Sequence, residues 1–240
     1  MLLGFSSGAT YKFIEPISVE AIDYFKKIGC NAIEINSIEK FGLESLNKIS
    51  KSHLESFEFI SMHSPTLTFE YKNNDETKYV LEKIETAHKK LNFDLVIFHP
   101  DRIVDWEVLK NFDIPIAIEN MDNRKNFGKS VADIENVLAE NNYKMVLDIQ
   151  HIYTNDKSMK LAQDFFEKFY DRIAEIHLSG YDETFIHYPL HLTGQLEIIK
   201  PARGKSIPVI IESAFSNPER IDREVKAEYE YVKKCLVSKI

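Results

Sequence analysis

Lys144–Tyr153 reads KMVLDIQHIY: an apolar strand, then an acid at Asp148, then an imidazole at His151. The last residues of a strand that feeds a helix lie at the mouth of an α/β fold, where chemistry is usually done. The pattern recurs on both sides of this stretch. It appears as FISMHSP with His63, LVIFHP with His99, IPIAIEN with Glu119, IAEIHLSG with His177 and IPVIIES with Glu212. Each is an apolar run, then one acid or imidazole, then a polar loop.

Between these runs the hydrophobic spacing turns helical. The spacing predicts strands over Leu2–Ser6, Asn31–Asn36, Phe57–Met62, Leu95–Phe98, Ile114–Ile118, Met145–Leu147, Ala174–Leu178 and Ile207–Ile211. Helices are expected over Val19–Ile28, with Ser18 as cap and Gly29 as stop, over Ile38 to about Ser52, and over Asp75–Lys90. Tyr79, Ile84 and Leu91 are taken for the buried face of that third helix. Further helices are expected over Trp106–Lys110, Ser130–Glu140, Ser158–Tyr170 and Asn217–Val237. Proline is poorly tolerated inside a central strand, so the His63-Ser64-Pro65 and His99-Pro100 sequences place both histidines at strand ends. Tyr181–Arg203 reads as a long irregular stretch carrying His187, His191 and Gly194.

Eight strand-and-helix units in alternation, with strands apolar on both faces, predict a parallel sheet covered by helices. Eight is the number that closes, so the expected fold is a single (β/α)8 TIM barrel occupying residues 1–240 as one domain. No glycine-rich turn after the first strand favours an open doubly wound sheet instead.

Composition is that of an ordinary soluble protein, with 28% charged and 44% hydrophobic residues. No apolar run approaches the roughly 20 residues of a membrane span. The start MLLGFSSGAT lacks a basic region followed by a long apolar core, so no signal peptide is expected. Cys30 and Cys235 make neither a disulfide framework nor a metal motif, in keeping with a cytoplasmic location. The net charge of −8 gives no overall attraction for nucleic acid.

Of the eight histidines, His53 and His88 fall in or beside helices and read as surface residues. A closed barrel brings His63, His99, His151, His177, His187 and His191 to one face with Glu119, Asp148 and Glu212. A lone histidine after a strand is usually a hydrogen-bonded loop residue. Six strand ends bearing such groups together point to a divalent metal instead, and this donor set suits Zn2+, Mn2+, Mg2+ or Co2+. Three carboxylates in one apolar funnel would otherwise repel one another, and a cation removes that cost. The ligands expected are Glu119, Asp148, His177 and Glu212. His63, His99, His151 and His191 are further ligands or substrate contacts. Arg102, just after His99-Pro100, is a candidate for a substrate phosphate. Arg203-Gly204-Lys205 precedes the last strand and belongs to the opposite rim.

The ordered series MHSP, FHP, IEN, LDIQH, EIHLSG and IIES resembles the xylose isomerase-like TIM-barrel superfamily, over nearly the whole chain. That group holds sugar isomerases and epimerases, inosose-type dehydratases and endonuclease IV-type apurinic-site endonucleases. In the sugar branch the resemblance implies one divalent metal held by Glu119, Asp148, His177 and Glu212, with His151 contacting substrate. Epimerases commonly carry an arginine shortly after the strand-seven histidine, where this chain has Ser179-Gly180-Tyr181-Asp182-Glu183. In the endonuclease branch three zinc ions use the same four residues with His63, His99, His151 and His191. That branch pairs the last histidine with an aspartate two residues earlier, where this chain has Pro189, with His187 as a substitute.

The resulting expectation is a metal-dependent isomerase or epimerase of a sugar or sugar phosphate. Glu119 and Glu212 exchange protons with the substrate carbon through a metal-stabilised enediolate, and His151, His187 and Arg102 contact substrate. One metal per chain is expected, and up to three under the alternative of a multi-zinc phosphodiesterase acting on nucleic acid. Association into oligomers is open.

Overall fold

The computed structural model describes residues 1–183 and 187–238, except the side chains at 40 and 41. Eight strands form a closed, wholly parallel barrel in chain order: β1 (Leu3–Ser6), β2 (Ala32–Asn36), β3 (Phe59–His63), β4 (Leu95–Phe98), β5 (Ile116–Glu119), β6 (Lys144–Asp148), β7 (Ile173–Leu178) and β8 (Val209–Ile211), with β8 paired back to β1. The expected TIM barrel is therefore the observed fold. No helix of the described residues is long and apolar enough to cross a membrane.

Strand side chains alternate with period two, and this sorts the residues. Ile33, Ile35, Met62, Val96, Phe98, Ile118, Leu147, Ile176 and Ile211 belong to the large apolar cluster between barrel and helices. Ala32, Phe59, Leu95, Ile97, Ala117, Val146 and Ile210 make a second apolar cluster, one register step away, that fills the lower barrel. Two residues further along these same strands, the alternation reaches Glu34, Ser61, His99, Glu119, Asp148 and Glu212. The barrel is thus apolar at its base and polar toward the C-terminal ends of its strands. Gly4 on β1 is needed for closure, since a Cβ there would lie 1.7 Å from the carbonyl oxygen of its paired residue Ala32.

The helices follow from their caps and stripes. α1 (Val19–Ile28) starts where the Ser18 side chain accepts from the Ala21 amide, and it stops at Gly29 with φ 96°. α2 is one turn (Lys51–Leu54), and α3 spans Asp75–Leu91. α4 (Val131–Glu140) opens on a reciprocal cap between Ser130 and Asp133, with Ile134, Val137 and Leu138 buried as expected. α5 (Ile149–Asn155), α6 (Lys160–Phe169), α7 (Leu190–Thr193), α8 (Leu196–Ile199) and α9 (Ile221–Val237) complete the described set. Cys30 and Cys235 are free and buried.

Four expectations need correction. Ile38–Ser52 is not one α-helix but a 3-10 stretch, Lys40–Lys48, followed by α2; Leu43, Leu46 and Ile49 are nonetheless buried. Tyr79 is 51% exposed rather than inward, with its hydroxyl on Glu44, because Val80 and Leu81 take the buried stripe of α3. His53 and His88 are both half-buried rather than surface residues: His53 Nδ1 accepts the Ser50 amide as part of the α2 cap, and the His88 ring lies beside that of Phe93. Tyr181–Arg203 is not wholly irregular, since α7 and α8 lie within it; residues 184–186 of that stretch are outside the described residues.

Candidate metal centre

The site is built from strand ends outward. Asp148 closes β6 and caps α5, its Oδ1 accepting the His151 amide at 2.7 Å. The chain therefore turns directly from strand to helix, and His151 sits on α5 rather than in a loop. Asn120, just after β5, locks that corner: its Nδ2 donates to the Asp148 carbonyl at 2.9 Å and its Oδ1 accepts the Asp148 amide at 2.8 Å. The β6–β7 register sets Asp148 beside His177.

Glu119, Asp148, His177 and Glu212 meet with one ligand atom each, all within 4.8 Å of one another. His177 is wholly buried, with Nδ1 3.5 Å from Glu119 Oε1 and 3.3 Å from Glu212 Oε2. A second cluster, His63, His99 and Glu119, shares the Glu119 carboxylate. His63 Nδ1 is 2.9 Å from the Ser64 carbonyl, which fixes it as the donor and leaves Nε2 to face inward. That Nε2 is 3.0 Å from His99 Nε2, and both lie near Glu119 Oε2, at 3.4 and 3.1 Å. Lone pairs so arranged require a positive charge among them, as a proton or as a cation.

Glu119 Oε2, Asp148 Oδ2 and His177 Nδ1 are buried without a hydrogen-bond partner. Buried polar atoms are nearly always satisfied, so these orphans, Asp148 Oδ2 and His177 Nδ1 in the four-residue cluster and Glu119 Oε2 facing His63 and His99, fit a cation bound among these residues. The electrostatics of the metal-free protein agree. Burial opposes ionisation of Glu119, but His99, His177 and His63 outweigh it and hold its carboxyl well below the usual range. Burial likewise opposes ionisation of Glu212, and His177 reverses this, bringing it to about 2. Asp148 is pushed up to about 8 by burial, only partly offset by His151. Burial works against charge on His177, yet the surrounding carboxylates, Glu212 first, raise it well above its ordinary value.

The remaining expected site residues divide. His151 is in the site: its Nδ1 is 2.9 Å from the Asn120 carbonyl, and its Nε2 is turned toward Asp122 Oδ2 at 4.0 Å. His187 also arrives, with Nδ1 3.1 Å from Ser179 Oγ and 4.0 Å from Glu212 Oε2. His191 does not. Its Nδ1 is 2.8 Å from Glu228 Oε2, and the same buried carboxylate accepts the Leu190 and His191 amides and the Ser213 hydroxyl. The reading of His191 as a metal ligand is corrected by this clamp between α7 and α9. Arg102 is on the expected face, but its guanidinium donates to the Leu67 carbonyl at 3.2 Å and approaches Asp101, so it ties two loops together.

Sequence reasoning missed several participants. Three buried polar residues lie outside the strand-end pattern: Glu34, Ser61 and Glu175. All three are wholly buried, and Glu34, Glu175 and His177 form a third convergent group beneath the first. The signal was present: Glu175 breaks an apolar strand two residues before His177, hence on the same face. Asp122, buried and paired with Arg124, gave no comparable signal.

A cavity of about 750 Å3 opens beside the cluster, with Glu212 and His187 in its wall together with Asn36, Ser6, Tyr11 and Leu67. It includes neither lysine nor arginine among its described lining residues. Another cavity, of about 620 Å3, lies at the opposite end of the barrel near Phe59, Asp94 and Tyr143, away from these clusters.

No sequence-family model matches the chain, and no curated protein matches it. Solved structures do. A 3-keto-D-glucoside 4-epimerase from E. coli superposes with a TM-score of 0.68 at 14% identity, covering 98% of this chain and 100% of that one. A xylose isomerase domain-containing protein from Salmonella typhimurium gives 0.66 at 15% identity, over 93% and 96%. The chain shares the barrel fold of these proteins. Endonuclease IV from Thermus thermophilus shares it at a TM-score of 0.58 and 13% identity, over 90% and 94%. Proteins of different activity thus share this scaffold, and the fold alone assigns none of those activities to this chain.

Proposed function

We propose that the protein is a divalent-metal-dependent isomerase or epimerase of a sugar-like hydroxycarbonyl compound. The carrying observation is the convergence of Glu119, Asp148, His177 and Glu212, with Asp148 Oδ2 and His177 Nδ1 buried and unpartnered, beside a cavity that Glu212 and His187 line. A divalent cation held by these four residues supplies polarisation of a carbonyl and of the hydroxyl next to it. Glu212 is the carboxylate that substrate reaches, with its side chain 12% exposed against 1% for Glu119. It takes the proton from the carbon beside the carbonyl. Glu119, deeper and ionised at rest, is the partner that returns a proton, one it first takes from the protonated His63 imidazole 3.4 Å from its Oε2. His151 and His187 orient substrate hydroxyls. Asn36 and Ser6 offer further polar contacts along the cavity.

The test begins with metal content in freshly purified protein by elemental mass spectrometry. About one Mn, Co, Mg or Zn per chain is expected. Incubation of the loaded protein with a panel of ketoses, aldoses and keto-glycosides in D2O should then place deuterium at the carbon next to the carbonyl, and Glu212→Gln should stop it. No metal uptake, or exchange undiminished in Glu212→Gln, would overturn this assignment.

The second cluster supports another reading, a two-metal phosphodiesterase, because His63, His99 and Glu119 offer a neighbouring cation position that shares a carboxylate. The clamped His191 and the lack of a described basic residue in the cavity lining weigh against it. Two or three zinc ions per chain, with chelator-sensitive cleavage of abasic-site DNA, would decide for it.

A further inference from the structure

Beneath the four-residue cluster the barrel holds two carboxylates that the mechanism above does not use. Glu175 on β7 and Glu34 on β2 are wholly buried. Glu175 Oε1 is 2.9 Å from His177 Nε2. It also accepts the hydroxyl of Ser61, which reaches across the barrel from β3, at 3.1 Å. Glu34 Oε2 is 3.4 Å from the same His177 nitrogen. The ring of His177 is therefore held at both ends, Nε2 over the lower carboxylates and Nδ1 among Glu119 and Glu212.

A neutral imidazole carries one proton, and the partner of one nitrogen decides the state of the other. A carboxylate that accepts from Nε2–H fixes the tautomer whose Nδ1 bears the lone pair, and such outer partners orient metal-binding histidines. We propose that Glu175, braced by Ser61, is the positioning residue of His177. It retains the proton on Nε2 and so presents Nδ1 to the cation position bounded by Glu119, Asp148 and Glu212. Apolar packing alone does not account for a carboxylate here, because the neighbouring inward positions are filled by Ala117, Val146 and Ile210. An ionisable group at such depth is costly unless it is paired. The inference rests on the metal reading above.

The test is a Zn2+ titration against a competing chelator, with histidine-15N NMR of the Zn2+-loaded protein. Wild type is expected to show His177 with a protonated Nε2 and a metal-bound Nδ1. Glu175→Gln keeps the shape but removes the charge. It should weaken Zn2+ about 10- to 100-fold, in line with the loss of an outer-sphere partner, and should shift or broaden the Nε2–H resonance. Ser61→Ala should move both readouts in the same direction by less. Affinity within twofold of wild type in Glu175→Gln would overturn the proposal. So would an unprotonated Nε2 in wild type, which stays readable even if the variant does not fold. Loss of one whole equivalent of tightly bound metal in Glu175→Gln would overturn it too, making the lower group a cation site in its own right. Failure of wild type to bind Zn2+ at all would remove the metal reading, and this inference with it. Binding by wild type with an indifferent Glu175→Gln removes this inference alone.

Discussion

Glu119 is the residue on which two clusters meet. Its Oε1 lies near His177 and His151 Nδ1, and its Oε2 near His63 and His99 Nε2. Glu119→Gln is therefore expected to weaken metal binding more than Glu212→Gln does, since Glu212 belongs to one of the two convergent sets. Either change should lower kcat by about 10²–10⁴-fold, the usual worth of a positioned acid or base. Comparing kcat with bound metal for both variants checks this, and near-wild-type turnover in Glu119→Gln would refute its role. Glu228 presents a different kind of residue-scale case. Glu228→Ala orphans the amides of Leu190 and His191 and the hydroxyl of Ser213, next to Glu212. Each buried donor left unpaired costs about 1–3 kcal/mol, so a loss of several kcal/mol in urea unfolding is expected. A loss below about 1 kcal/mol would show that water satisfies these donors in the variant.

At the scale of elements, strands and helices depend on different local features. β1 approaches β2 so closely that only glycine fits at position 4. The obstacle is backbone, which cannot swing aside, so Gly4→Ala should cost at least the about 1–3 kcal/mol of ordinary overpacking. A soluble variant with an unchanged unfolding midpoint would mean that the strands separate at no cost. α4 depends on its first turn instead. Ser130 accepts the Asp133 amide, and Asp133 accepts the amides of Ser130 and Lys129. Ser130→Ala is expected to lose about 1 kcal/mol, readable in the same unfolding experiment.

Over the whole molecule, buried charge makes stability depend on pH and on metal. Asp148 rises from its ordinary 3.8 to about 8, and Glu34 from 4.5 to about 7, both through burial. Burial opposes charge on His63, but Glu119 and Glu34 carry it from 6.5 to about 9. Above pH 7 the unfolded chain has released the Asp148 and His63 protons while the folded, metal-free chain still holds them, and the folded chain loses the Glu34 proton at about 7. Stability then falls as pH rises: through the window up to about 8 for Asp148, and up to about 9 for His63. The urea midpoint of chelator-treated protein should decline between pH 7 and 9. A saturating divalent metal should flatten that decline, because it displaces the same protons and binds the folded state. A metal-free midpoint that climbs over this range would contradict the buried arrangement of these groups.

The sequence by itself determined the barrel and the strand ends at which the candidate ligands gather. Strand residues alternate with period two, so an acid or imidazole at the end of an apolar run is committed to a face before any tertiary contact forms. FISMHSP, LVIFHP, IPIAIEN, IAEIHLSG and IPVIIES therefore reported His63, His99, Glu119, His177 and Glu212 by local pattern alone. α5 escaped because IQHIYTN continues the apolar run of β6 without a glycine or proline to mark the turn, and the side chain of Asp148 makes that turn. The fates of His187 and His191 were decided only by tertiary structure. The two are four residues apart on a connection whose course depends on α9, where Glu228, some 37 residues further on, captures His191. The pairing of Glu175 with Ser61 and His177 is likewise a contact across the barrel, between residues 114 apart in sequence. Local periodicity assigns a residue to a face, but which residues on that face meet is set by closure of the sheet.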